Sequence, residues 1–451
     1  MVESDRDDDV KRIGGGDDSP VRQRRSQIDR DFGRLWLGQS ISLLGTQISV
    51  LAIPLTAALT LKASPGQMGM LGASQWLPFL LIGLPAGIWV DRRRRRRVMI
   101  VADVGRAVCL GVVPLAAVFG VLSFPVLYAS VFATGLLQVL FELAYQSYVP
   151  VLVGSERLMR ANSRIQASIS AAQVAGPGIA GVLTQLLTAP VAVFVDAISY
   201  LVSTWSIASI RTPEQDPRVA ERVEPLRKAV SAGLRVVAAD PILRPIVTEA
   251  GVYNLFETAI LTLLVLFATR ELGMTAGLLG VILALGGIGS VSGAIAVERH
   301  ESRWRVGRTM VITYCVACLL PLLIPLAGGP VPIAAAILVL AFVPVGFATA
   351  VVQVYVWSLR QSLVPSQLLG RMNAAYRFIV SGTLPLGALL GGALGSWLGL
   401  RGGIAVAAGG MSLAIVPVLR SPIPRLTTIP KPTSEEAVEA AAPNDTTEPV
   451  D

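Results

Sequence analysis

The stretch GLPAGIWVDRRRRRRVMIVADVG, residues 83–105, sets six consecutive arginines, Arg92 to Arg97, between two apolar runs. A run of arginine is a nucleic-acid patch, a targeting address or the inner rim of a membrane protein, and its flanks decide which. Those flanks belong to a chain of 451 residues that is 53% hydrophobic and only 15% charged, against roughly 25% charge in soluble domains. Twelve apolar stretches follow one another at 33–61, 67–90, 98–120, 124–148, 164–187, 190–210, 246–270, 277–297, 307–328, 332–358, 373–398 and 402–420. At about 1.5 Å per residue, some 20 helical residues cross a ~30 Å hydrocarbon layer. The sequence therefore predicts an all-α membrane protein with twelve transmembrane helices. The first stretch lies behind a long polar segment without a small-residue cleavage site, so it reads as a membrane helix and not a signal peptide.

The net charge of +8 is not spread evenly. One set of loops carries Arg22, Arg24, Arg25, Arg30 and Arg34, then Arg92 to Arg97, then Arg157, Arg160 and Arg164. It continues with the cations of 211–244 and 299–308, with Arg360 and Arg371, and with Arg420, Arg425 and Lys431. The alternate loops carry only Lys62, Arg270 and Arg401. The positive-inside rule then puts both termini and the arginine run at the cytoplasmic face. A nucleic-acid role is set aside, because the run has no aromatic interleaving and no room to fold a domain. Cys109, Cys315 and Cys318 all sit inside apolar stretches, and Cys315-x-x-Cys318 places two small residues on one helix face. With His300 as the only histidine, no metal or other cofactor is expected.

The organisation predicted is a polar, disordered tail over 1–30, a six-helix half over 31–210, a linker over 211–245, a second six-helix half over 246–421 and a tail over 422–451. In the linker, Leu226, Val230, Leu234 and Val237 recur at helical spacing among basic residues. That pattern is an amphipathic helix, lying on the membrane surface or docking on the bundle. The halves repeat. A shift of 211 residues brings Ser155, Leu158, Arg160 and Asn162 onto Ser366, Leu369, Arg371 and Asn373, and Gly176 and Gly181 onto Gly387 and Gly392. Two repeats of parallel topology are the pattern of a transporter whose site lies between its halves.

On these residues the chain resembles the major facilitator superfamily, and within it the branch of the enterobactin exporter and the macrolide-efflux proteins. The loop after the second helix resembles the pattern G-x-x-x-D-R-x-G-R-R, with Gly87, Asp91, Arg92, Arg95 and Arg96 matching and Arg94 in place of a glycine. Gly87, like Gly83 one turn earlier, permits close helix packing. The resemblance implies that Asp91 meets the positive N-terminal end of the eleventh helix, near Arg371 and Asn373, and so locks the outward-facing state. Arg93, Arg94 and Arg97 are read as anchors for anionic lipid. In AAQVAGPGIAG, Gly176, Pro177 and Gly181 resemble the antiporter motif G-P-x-x-G-G, with Ala180 in place of a glycine. Pro177 should bend its helix and let a partner pack against the bend, and the motif implies export. FELAYQSYVP, FVDAISYL and GLRVVAADPILR resemble the branch's own signatures and carry no information on substrate.

Ionisable groups inside apolar helices are costly and mark function. Here they are Asp103, Arg106, Glu142, Asp196, Glu249, Glu257 and Arg377. Asp103 and Arg106 stand on one helix face and are read as a structural charge pair. Glu257, then Glu142, are the candidates for proton coupling. Gln39, Gln47, Gln138, Asn254, Gln353, Trp76 and Tyr355 are candidates for lining a cavity. The function expected is export of an amphipathic small molecule (drug, antibiotic or siderophore-like metabolite) by proton antiport, as a monomer in a bacterial cytoplasmic membrane. A preponderance of arginine over lysine fits a GC-rich bacterial genome. The rivals are a lipid flippase of the same fold and a transport-inactive sensor or assembly partner. An enzyme is not expected, for no catalytic constellation and no G-x-x-x-x-G-K-[ST] motif is present.

Overall fold

A computed structural model describes residues 19–212, 214, 226–300 and 305–430. Among the described residues the regular structure is all helical. The first half comprises α1 (Ser19–Leu55), α2 (Pro65–Asp91), α3 (Arg95–Val118), α4 (Phe124–Val153), α5 (Ser155–Leu186) and α6 (Ala189–Ala208). The linker helix is α7 (Leu226–Ala239). The second half comprises α8 (Leu243–Leu266), α9 (Ala276–His300), α10 (Val306–Leu319), α11 (Val331–Leu363) and α12 (Ser366–Ser412). Among the described residues, ten helical stretches are long and apolar enough to cross a membrane. The last of them is broken at Gly399, whose φ of 73° interrupts α12, and so makes two crossings. The 27-residue α2 completes the twelve. The periphery is apolar: Val118, Trp205 and Trp397 are 79%, 74% and 81% exposed. Exposure of that kind is expected only where lipid replaces water.

Local chemistry sets the helix limits. Ser64 and Gln67 form a capping box at the start of α2, and a proline in the first turn opens α2, α4, α6 and α11. The helix of α1 reaches back to Ser19, inside the stretch expected to be tail. Its entry is pinned by Asp31, fully buried, which accepts hydrogen bonds from the backbone N–H groups of Arg211 and Thr212, the Thr212 hydroxyl and Arg34. Arg34 also donates to the Ser209 carbonyl at 2.8 Å, bolting α1 to the end of α6. The second tail is corrected likewise. Ile423 is buried, and Gly307 and Val306 donate to the carbonyls of Leu426 and Thr427. Residues 1–18 and 431–451 lie outside the described residues.

The repeat is visible atom by atom. In the first half, Gly176 of α5 packs on Gln47 of α1; in the second, Gly387 of α12 packs on Thr258 of α8, every position displaced by 211. Both leading helices also end in a π-turn, at Thr56–Thr60 and Phe267–Glu271, again at that displacement. The turn is followed by Lys62 at φ 54° in one half and by Gly273 at φ 62° in the other. A left-handed residue with a side chain costs about 1–2 kcal/mol, which glycine escapes. Lys62→Gly should therefore raise the midpoint of thermal unfolding in detergent, and Gly273→Ala should lower it.

The halves meet along two seams related by the same displacement. On one, Gly181 of α5 lies against the Ala276 carbonyl and Gly280 of α9, and Gly280 against the Pro177 carbonyl. On the other, Gly392 of α12 lies against the Pro65 carbonyl and Gly69 of α2, and Gly69 against the Ala388 carbonyl. Only glycine allows backbones this close. Both seams sit at the end of the bundle remote from the arginine run, the far face. At the basic face α2 and α4 stand apart from α12 across a cleft of about 310 Å³. The linker helix α7 does not lie free on a surface: it docks on the basic end of α12, where Gly233 meets the Arg371 carbonyl and Ala375. Val237, Val247 and Met372 are buried in that contact.

Candidate functional site

Two spaces carry polar chemistry inside the bundle. The first is internal to the second half. Its walls are α8, α10, α11 and α12, and it encloses about 230 Å³ lined by Glu249, Tyr253, Asn254 and Glu257 of α8, Tyr314 of α10, Gln353 and Thr349 of α11, and Tyr376 of α12. A second chamber of about 200 Å³ shares Tyr253, Glu257 and Thr349 and runs on toward Pro321, Ile324 and Met411. Glu257 thus stands at the junction of the two. The Tyr253 hydroxyl donates to Glu257 Oε1 at 3.5 Å, and the Tyr314 hydroxyl lies close to the Glu249 carboxyl. Neither chamber is lined by a lysine, arginine or histidine. Two carboxyl groups share a tyrosine-rich chamber with no cation in its lining.

The second space is the cleft between the halves. Gly83, Phe79, Glu142 and Gln146 line one side; Asn373, Arg377, Phe378 and Ser381 line the other. Acid and base therefore face each other across the opening. Glu142 is held from behind by a chain of hydrogen bonds through the first half. Gln138 donates to Glu142 Oε1 at 2.9 Å, Arg106 donates to Gln138 and to Asp103, Ser203 donates to Asp103 Oδ2 at 2.6 Å, and Gln39 donates to Ser203 at 2.7 Å. The Arg106 guanidinium is also sandwiched between Phe141 and Tyr200, 4.2 Å from each ring centroid. Asp103 and Arg106 are 0% and 2% exposed. Removing one partner of a buried pair costs roughly 3–5 kcal/mol, because the other charge is left uncompensated. Arg106→Leu should lower the unfolding midpoint sharply, and adding Asp103→Leu should recover much of the loss.

The remaining sequence candidates fall in several places. Gly83 borders the cleft, and a Cβ built at Gly83 or Gly87 would meet nothing within 4 Å, so the close packing expected of them is not made in this conformation. Arg96 does not reach the second half. Its guanidinium donates to the Ile207 and Ala208 carbonyls at the end of α6, while Glu214 accepts from the backbone N–H groups of Arg95 and Arg96 and so caps α3. Arg92, Arg94 and Arg97 are exposed, and Arg93 sits over the Trp89 ring. The side chain of Asp91 lies outside the described residues. Pro177 and Gly181 form the α5 side of one seam, while Gly176 packs on Gln47 of α1 within the first half. Asn373 accepts from Arg360, a buried arginine of α11 stacked 3.9 Å from Tyr376.

Of the residues expected to line a cavity, Asn254 and Gln353 do so beside Glu257. The others are placed differently. Gln39 is buried against Ser203, Gln138 bridges Arg106 and Glu142, and Gln47 supports Gly176. Trp76 packs on Phe79, and Tyr355 is buried within α11. Sequence reasoning passed over Tyr314, Tyr376 and Arg360, and did not single out Glu249. The step of four from Glu249 through Tyr253 to Glu257, one face of α8, is the signal that points to it.

The comparisons with known proteins agree on what this architecture is. A model of the Major Facilitator Superfamily matches residues 35–385. The multidrug efflux pump Tap of Mycolicibacterium fortuitum is 28% identical over 369 residues, which are 79% of this chain and 87% of Tap. Macrolide efflux protein A of Streptococcus pyogenes is 25% identical over 189 residues, 42% of this chain and 46% of that protein. The crystal structure of the nucleoside transporter NupG superposes with a TM-score of 0.69 at 12% identity, covering 86% of this chain and 98% of NupG, and shows a shared fold. Twelve crossings in two displaced repeats, glycine seams between the halves and a family match over most of the chain lead to one conclusion: the chain belongs to the major facilitator superfamily, as a multi-pass membrane transporter and not an enzyme.

Proposed function

We propose that the protein exports amphipathic small molecules across a bacterial cytoplasmic membrane in exchange for protons, by alternating access. The observation that carries the coupling is the pair Glu249 and Glu257 in an enclosure without a lining cation. Uncompensated carboxylates are costly at that depth, so each carboxyl keeps its proton while the chamber is closed and releases it only where water reaches it; the bound proton is then the coupling ion. The substrate enters the cleft, whose Phe79 and Phe378 rings and Glu142 and Arg377 charges suit an amphipathic molecule. Coupling ion and substrate then occupy neighbouring but separate spaces, and each biases the same equilibrium between two conformations.

The arginine-bearing face is cytoplasmic by the positive-inside rule, which makes the described conformation open to the cytoplasm and closed at the far face. Export is supported by the names of the efflux relatives and by Pro177 and Gly181, two of the three antiporter-like positions, standing on a seam between the halves. In the opposite state the cleft closes, Gly83 and Gly87 receive α12, and Asp91 meets its N-terminal end near Arg371 and Asn373. Arg93, Arg94 and Arg97 hold anionic lipid at the rim, and the unit is a monomer.

The test is substrate-triggered proton flux in proteoliposomes with an imposed pH gradient, over a panel of amphipathic cations, macrolides and siderophores. Flux with at least one compound is expected. Absence of flux with all of them, while a fluorescent lysolipid still crosses between leaflets, would replace the drug-export reading with a lipid flippase.

A further inference from the structure

A recess on the outside of the bundle belongs to neither of the spaces described above. It encloses about 480 Å³ between α7, α8 and the basic end of α12. Leu234, Val237 and Ala238 form one wall, Val247, Gly251, Val252 and Leu255 the floor, and Ile379 and Thr383 the other wall. Arg244 stands at the end nearest the basic face. Among the described residues its guanidinium makes no hydrogen bond or ion pair, and it is exposed. Arg235, next to Leu234 on α7, is exposed as well.

Depth decides what can fill this groove. From Arg244 to Leu255 the rise along α8 is roughly 16 Å, half of the ~30 Å hydrocarbon layer. The groove therefore runs from the interface to the midplane, the span of one leaflet, with its cation at the headgroup level. Water is a poor occupant of so apolar a slot, and a peptide helix is too wide for one whose walls are themselves adjacent helices. The occupant that matches an apolar channel one leaflet deep, with an arginine at its mouth, is an acyl chain under an anionic headgroup. We propose that this groove is a binding site for one anionic phospholipid of the cytoplasmic leaflet, with its phosphate at Arg244 and a tail along Gly251 and Ile379.

The consequence is mechanical. Two walls of the groove are the linker helix and the limb of α12 that lines the substrate cleft through Asn373 and Arg377. A lipid seated there adds contacts to the docking of α7 on α12, which otherwise rests on Gly233 and the small cluster around Val237 and Met372. The site is distinct from the arginine run on the first half and independent of the exported substrate.

The full-length chain, purified in detergent, is melted with added dioleoylphosphatidylglycerol, dioleoylphosphatidylcholine or glycerol 3-phosphate, and the retained lipids are counted by native mass spectrometry. Phosphatidylglycerol is expected to raise the melting temperature of wild type by several degrees, with little effect of the other two. Arg244→Gln and Ala238→Trp, which remove the cation and fill the slot, should each lose at least half of that increment and one retained lipid. In a background carrying Arg93→Gln, Arg94→Gln and Arg97→Gln together, which removes the rim cations, Arg244→Gln should still cost the same increment and one further retained lipid. Equal shifts with the two phospholipids, an equal shift with glycerol 3-phosphate, or an undiminished shift in both groove variants would overturn the proposal.

Discussion

Leucine in place of Gly181 should abolish transport while leaving a folded, monodisperse protein. A side chain at Gly181 would be driven into the Ala276 carbonyl and the backbone of Gly280 on the facing helix. These are backbone atoms on both sides, so no rotamer change relieves the overlap. The α5–α9 seam must part, and the state closed at the far face is lost. Overpacking of a tight contact costs about 1–3 kcal/mol, and the upper figure shifts a two-state equilibrium roughly 100-fold. Because the cost falls on one conformation and not on the fold within each half, the melting temperature should change little while the transport rate falls at least tenfold. Gly392→Leu should do the same on the other seam, whose contacts are displaced by the same 211 residues. Gly111→Leu is the control: nothing lies within 4 Å of a Cβ there. Wild-type transport in Gly181→Leu would show that the seam is not part of the cycle.

Glu257→Gln is expected to eliminate substrate-triggered proton flux, by more than tenfold, and to leave substrate binding within a factor of a few. Glutamine keeps the volume and the hydrogen bond from Tyr253 and removes the titrating charge at the junction of the two chambers. Glu142→Gln should behave in the opposite way. Its carboxylate lines the cleft with Arg377 opposite, so its loss should weaken substrate binding while residual transport stays proton-coupled. Binding by fluorescence or scintillation proximity, measured beside dye-reported proton flux, separates the two. If Glu142→Gln uncouples and Glu257→Gln does not, the division between a coupling chamber and a substrate cleft is reversed.

Much of this was legible in the sequence, for identifiable reasons. Twelve spans follow from apolar length alone. The repeat was legible because SERLMRANS and SQLLGRMNA preserve the same positions. Its structural meaning was not, since a sequence does not say that Gly181 and Gly392 touch the opposite half. The tails were misjudged at their inner margins. Asp31 and Ile423 find partners far along the chain, at Thr212 and near Gly307, that local polarity does not announce. Which way a membrane helix faces decided the rest. Gln39 and Gln138 were reasonable cavity candidates by residue type, but they complete the hydrogen bonding of the buried Asp103–Arg106 pair. Tyr314 and Tyr376 enter the chamber beside Glu257 from helices that only folding brings beside Glu249. The arginine run likewise divides its work: Arg96 closes the end of α6, and Glu214, a linker residue, caps the helix that the run begins.

The claim on which all of this rests is that the two faces open in alternation. Helices α5 and α9 come from opposite halves and pack at the far face, so one helix pair reports both ends. Spin labels on Leu187 and Thr275 would measure the far end, and labels on Met159 and Arg299 the basic end, in a chain whose three cysteines have been replaced. Double electron–electron resonance distances would be recorded at acidic and alkaline pH, with and without a transported substrate. Any condition lengthening the far-end distance should shorten the basic-end distance, and Glu257→Gln should remove the response to pH. Distances that change together, or that stay fixed under every condition in a transport-active protein, would contradict the claim.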